Sequence, residues 1–271
     1  MVSGVLHKIR DITESLNKDP LTLKKAVALC CYAMGLRFAA ELVLAIFNLY
    51  RGILPDVVFL VVVLVIARGM GKDEIHRILA WRDVPLAVFA AVMVMFFGVY
   101  IIQSEIRNMI QNVFPVPDGF FDGWFYEPDS VFLTIVSIAL FPAFSEEVFF
   151  RGIIARRFFR SQSARKAILL SAALFGVIHL NLWQGVNAFC SGIFLGWIYR
   201  RYRSIWLCMI IHAYNNVLAS FMSLPYIRTE SIFHEERLRH PIWFDIVGLL
   251  LFGLGLLTVI VLSRSPENEK K

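Results

Sequence analysis

Two adjacent glutamates, Glu146 and Glu147, stand with Arg151 inside one of the most apolar runs of the chain, FPAFSEEVFFRG at residues 141–152. Two later apolar segments also carry polar groups: His179 in FGVIHL, and His212 with Asn216 in IIHAYNN. An ionisable group in an apolar setting is costly unless it is paired, so each of these is a functional candidate by default. Glu147 and Arg151 are four apart and can pair along one helix face, an architectural role. Glu146 is turned about 100° from its neighbour and cannot fully share that partner. Its surroundings suit a general base. His212 and Asn216 share a face at i, i+4 spacing. Together they can donate two hydrogen bonds to one oxygen, as an oxyanion hole requires. Asn215 points elsewhere.

No nucleophile accompanies this set. There is no GxSxG elbow, and Cys208, one turn from His212, reads as a packing residue. HExxH is absent, so a zincin site is not supported. A carboxylate with a histidine can instead activate a water, here Glu146 with His179, leaving His212 and Asn216 to stabilise the oxyanion. That is the chemistry of amide hydrolysis. A glutamate and two histidines can alternatively hold a divalent metal.

The elements that position these residues must be membrane helices. Of 271 residues 58% are hydrophobic and 18% charged, against roughly half and a quarter in soluble domains. Apolar runs fall at about 25–49, 53–67, 86–103, 130–158, 166–182, 185–199, 204–224 and 242–263. A span needs roughly 20 residues, which makes the second and sixth short. The expected fold is an all-α polytopic bundle of about eight transmembrane helices. Residues 1–24 are read as a cytoplasmic amphipathic segment, with Val5, Ile9, Ile12 and Leu16 at helical spacing and Pro20 ending it. Residues 25–263 form a single transmembrane domain, and 264–271 a cytoplasmic tail. No cleavable signal peptide is expected.

With eight crossings, the segments on one side carry 21 Lys and Arg and those on the other carry 5. Both termini are therefore expected to be cytoplasmic. The net charge of +6 then belongs to cytoplasmic loops, so a lipid bilayer and no nucleic acid is the expected partner. The stretch FPVPDGFFDGWFYEPD reads as an outer-interface loop. Gly185, Ala188, Gly192 and Gly196 make a small-residue stripe for close helix packing. Arg37 and Glu41, four apart in the first span, are expected to pair. The four cysteines show neither a disulfide framework nor a zinc-finger pattern.

At 1.5 Å per residue, Glu146 lies about 16 Å in from Arg157 and His179 about 20 Å in from Lys166. His212 and Asn216 lie about 14 and 20 Å in from Arg203. Three helices thus bring their polar groups to one level near the middle of the bilayer.

The ordered segments EEVFFR, FGVIH and HAYNN, within about residues 130–224, resemble the three motifs of the CAAX-prenyl-endopeptidase and bacteriocin-processing family, also called CPBP or Abi. The resemblance implies a helical intramembrane protease whose cavity opens toward the cytoplasm. Glu146 would activate water with help from His179, His212 and Asn216 would form the oxyanion site, and Glu147 and Arg151 would hold the motif helix. No cofactor is expected, although older descriptions of the family invoke a metal. The implied substrate is a membrane-associated or lipidated protein or peptide. The eukaryotic branch removes the C-terminal tripeptide of prenylated proteins, while prokaryotic members are more varied. The short chain and loops fit a protein of a prokaryotic inner membrane. The competing reading is a non-catalytic immunity or scaffold protein that binds a peptide or membrane partner.

Overall fold

The computed structural model describes residues 20–47, 54–71, 73–79, 82–117, 135–222 and 239–263, with His7, Asp11, Thr13 and Glu14 besides. The amphipathic N-terminal stripe, the aromatic outer-interface loop from residue 118 onward and the C-terminal tail lie outside the described residues. Among the described residues every regular element is helical. In chain order these are α1 Leu23–Ile46, α2 Leu54–Gly69, α3 Glu74–Leu79 and α4 Leu86–Val113. The long α5 is built of four consecutive segments, Ile135–Leu140, Phe141–Glu147, Val148–Ala155 and Arg156–Ser161. After it come α6 Ala164–Val177, α7 Leu182–Tyr202, α8 Ile205–Met222 and α9 Ile242–Ser263.

Three of these are long and apolar enough to cross a bilayer: α1, α4 and α9 over Ile242–Leu262. Apolar side chains such as Leu42, Ile46, Leu250 and Leu257 are exposed along α1 and α9. In water such surface is a liability, whereas in lipid it is the ordinary outside of a span. By contrast, α2 has 16 residues and α6 has 14. At 1.5 Å per residue α6 measures about 21 Å.

The chain divides into two compact units, Met1–Arg82 with Tyr126–Val217, and Asp83–Phe125 with Leu218–Lys271. In the first, every residue of the Val148–Ala155 segment is buried, the charged Arg151 included. Aromatic contacts link it to its neighbours, Phe149 edge-on to Phe59 and Phe150 tilted against Phe175. Its C-terminal continuation is anchored to α3, where Glu74 accepts from Arg156 at 3.1 Å and lies 3.6 Å from Arg157. In the second unit α4 and α9 run antiparallel. Ile101 faces Gly248, Gly98 faces Phe252, and Met95 faces Gly255, with no room for a side chain at any of the three glycines.

Two segments of α5, Ile135–Leu140 and Val148–Ala155, are π-helical. Their bonds run i→i+5, a rare geometry frequent at functional sites. Periodicity at 3.6 residues does not reveal them. A second departure concerns the fifth span, expected over 166–182. Here α6 stops at Val177, and Leu180 has a positive φ of 54°. Asn181 then starts α7 by accepting from Gln184 N at 2.8 Å, while its amide donates to His179 O at 2.9 Å. An asparagine that bonds the backbone locally on both sides favours a turn over continued helix. His179 therefore stands in the reversal between α6 and α7.

The small-residue stripe does pack closely. A Cβ on Gly192 would lie 3.0 Å from Ala172 Cα, and Gly196 faces Ile168. A Cβ on Gly185 would lie 3.1 Å from Gly176 O, so α6 and α7 form a tight hairpin.

Candidate active site

The two glutamates sit at the junction where the Phe141–Glu147 segment of α5 passes into its second π-helical turn. Glu147 is fully buried, whereas the Glu146 side chain keeps 21% of its surface exposed. That difference divides their partners. Glu147 Oε1 accepts from Arg151 Nη1 at 2.7 Å and meets His212 Nδ1 at 2.9 Å. One carboxylate oxygen therefore ties α5 to α8. Glu146 Oε2 lies 3.8 Å from the other nitrogen of the same ring, His212 Nε2. The two neighbours thus address opposite edges of one imidazole.

Arg151 is the largest of the fully buried side chains. Besides Glu147, its Nη2 donates to Gly192 O on α7 at 3.3 Å. Its guanidinium lies 4.8 Å from the centre of the Phe175 ring. Phe175 is also edge-on to both histidines, with ring centres 5.2 Å from His179 and 5.6 Å from His212. It is the apolar hub around which the polar groups are arranged.

His179 Nδ1 is 2.8 Å from Phe175 O. A carbonyl only accepts, so Nδ1 carries a proton and, in the neutral ring, Nε2 is left as an acceptor. His212 Nδ1, facing a carboxylate, is a donor for the same reason. Glu146 acts electrostatically on His179. Asn216, one turn beyond His212 on α8, donates to Ile138 O at 3.3 Å and lies 3.2 Å from Asn215 Nδ2 through its own oxygen. Glu146, Glu147, Arg151, His179 and His212 are thus connected by direct contacts, shared neighbours or charge. Asn216 is bonded to the first π-helical segment of α5.

Arg37 and Asp56 were not legible as neighbours of this set. Arg37 Nε donates to Asp56 Oδ1 at 2.9 Å, while Glu41, its expected partner, is 3.9 Å away. The i, i+4 spacing suggested Glu41, but an acid on the adjacent α2 offers the shorter, better-buried contact. Glu146 acts electrostatically on both Arg37 and Asp56. Cys208 is buried and its thiol donates to Leu195 O at 3.7 Å, the packing role its sequence position suggested.

Residues 128–218 match the family model for type II CAAX prenyl endopeptidase Rce1-like proteins. The matched segment contains all three polar motifs, and the resemblance drawn from their sequence holds. No curated protein and no solved structure matches the chain. The apolar helices, and the likeness of this segment to a membrane family, agree with an integral membrane protein.

Proposed function

We propose that the protein is an intramembrane endopeptidase that hydrolyses a peptide bond in a membrane-associated or lipidated substrate. The observation that carries this reading is the division of labour between the adjacent glutamates. Glu147 is consumed by Arg151 and His212, while the partly exposed Glu146 faces His212 Nε2 across 3.8 Å. That leaves Glu146 as the carboxylate able to engage a water.

In the reaction, Glu146 takes the proton of the attacking water, and the Nε2 lone pair of His179 assists. The carbonyl oxygen gains negative charge as the tetrahedral intermediate forms. His212, held by Glu147 through Nδ1, presents Nε2 to that charge, and a protonated Nε2 donates to it. Asn216, one turn beyond His212 on α8, supplies the second donor through its side-chain amide. The proton held by Glu146 then passes to the departing amine. Every proton removed from water is returned, and the step needs no cofactor.

Around this site we propose eight membrane crossings with both termini cytoplasmic, formed by residues 25–263 between the amphipathic segment and the tail. The split of Lys and Arg supports this topology. The length of α6 supports placing the site within the bilayer. Its 14 residues bring His179 about 21 Å from the cytoplasmic start of the helix, inside a hydrocarbon layer about 30 Å thick. A prokaryotic inner membrane fits the short chain.

The test is cleavage of CaaX-terminated peptides, prenylated and unprenylated, by protein in liposomes. Glu146→Gln should reduce turnover by about 10²–10⁴-fold, the usual range for a general base, without lowering the unfolding temperature. Turnover in the wild type should survive a chelator. Undiminished cleavage by Glu146→Gln would remove the assignment.

A further inference from the structure

The second unit contains a cluster that the peptidase reading does not use. Ser104 and Glu105 lie on α4, His240 stands two residues before α9, and Asp245 is in the first turn of α9. His240 is held on both sides. Its Nε2 is 3.0 Å from Ser104 Oγ, and its Nδ1 is 3.0 Å from Asp245 Oδ1 and 3.7 Å from Glu105 Oε2. The His240 side chain is 1% exposed, so these contacts are made away from bulk water.

The proton count in this cluster is informative. The Ser104 hydroxyl donates to Ile101 O at 2.8 Å. With its one proton committed there, Oγ accepts, and the hydrogen between Ser104 and His240 belongs to Nε2. A neutral ring with hydrogen on Nε2 carries a lone pair on Nδ1. That lone pair faces two carboxylate oxygens, an arrangement that is repulsive unless a proton or a metal cation lies among the three atoms. Metal-binding histidines have this construction, with the non-ligating N–H fixed by an outer partner. Glu105 is fixed in the same way, since Oε2 accepts from His240 N at 2.9 Å and from Asn108 Nδ2 at 3.3 Å.

We propose that Glu105, His240 and Asp245 bind a divalent cation of the zinc class, which ties α4 to the start of α9. Their ligand atoms all lie within 4.8 Å of one another. One imidazole with two carboxylates is a borderline donor set, suited to zinc and not to the all-oxygen cages of calcium or magnesium. Glu105 and Asp245 also line a cleft with Ile102, Ile106 and Leu249. The Glu105 and Asp245 side chains keep 19% and 31% of their surface exposed, which gives the ion a way in.

The experiment uses the full chain, purified in detergent, stripped with a chelator and titrated with Zn²⁺. Bound metal and unfolding temperature are both read. Wild type should take up one zinc per chain and unfold at a higher temperature with it. Glu105→Gln/Asp245→Asn keeps the shapes of both side chains and should lose the zinc and the temperature rise. Glu146→Gln should keep both. If the double variant does not fold, Asp245→Asn alone should weaken zinc binding by at least about tenfold, the minimum seen even for outer-shell partners. Zinc retained by the double variant, no uptake by wild type, or loss in Glu146→Gln overturns the proposal. Absence of uptake by wild type would mean that a proton on Nδ1 fills the position.

Discussion

Replacing Arg151 with methionine would isolate a buried carboxylate without opening a large cavity. The methionine fills much of the path of the arginine stem, so the loss is mainly that of the guanidinium. Three contacts go with it: the 2.7 Å bond to Glu147, the 3.3 Å bond to Gly192 O and the 4.8 Å stacking over Phe175. Removing one partner of a buried pair typically costs about 3–5 kcal/mol. A desolvated cation–π contact adds about 2 kcal/mol. His212 remains 2.9 Å from the same carboxylate oxygen and, once protonated, offsets part of the loss. The expected net destabilisation is about 4 kcal/mol, or roughly 8–16 °C at 2–4 °C per kcal/mol. The assay is thermal unfolding in detergent followed by tryptophan fluorescence. Glu147→Leu/Arg151→Met should regain most of the stability, because an apolar pair replaces a charged one at little cost. It should remain inactive, since His212 loses the acceptor that orients it. An Arg151→Met protein within about 1 kcal/mol of wild type, or a double variant no more stable than the single, would refute the reasoning.

Other outcomes follow from the same contacts. Gly192→Leu forces a branched side chain against Ala172 and should destabilise by about 1–3 kcal/mol or more, measured by the same unfolding assay. Asn181→Ala removes the cap of α7 and the bond to His179 O; it should cost about 1–2 kcal/mol and lower kcat by up to about 100-fold, because a misplacement near 1 Å has that effect. A double-mutant cycle on Arg37 and Asp56 should give a coupling of about 1 kcal/mol or more, while Arg37 with Glu41 should stay below about 0.5 kcal/mol.

The polar centre was legible because it is expensive: in so apolar a chain, each buried charge or histidine demands a reason. Glu147 with Arg151 could be paired from helical spacing alone, and the structure keeps that pair. Arg37 shows where such reasoning stops, since spacing ranks partners within a helix and is blind to Asp56 on the next one. The end of α6 was missed because FGVIHL reads as uninterrupted apolar helix, while the turn is made by Leu180 at positive φ and by Asn181 bonding the backbone on both sides. Phe175 opens the FGVIH motif, but its position under both histidines and Arg151 is a product of tertiary packing that the motif does not show. The backbone acceptors Gly192 O and Ile138 O have no signature in side-chain chemistry.

The π-helical turn over Val148–Ala155 sets the phase between two ends of one rod. At one end Glu147 must point toward His212, and at the other Arg156 and Arg157 must both reach Glu74. A uniform α-helix fixes the angle between those ends by residue count alone. A turn that holds an additional residue resets it by about 100°. Deleting Ile154 should let the rod relax into α-helix, keeping the bond between Glu147 and Arg151 while swinging the two arginines off Glu74. The insertion works as a keyed joint, aligning the chemical end of α5 independently of the end that anchors it.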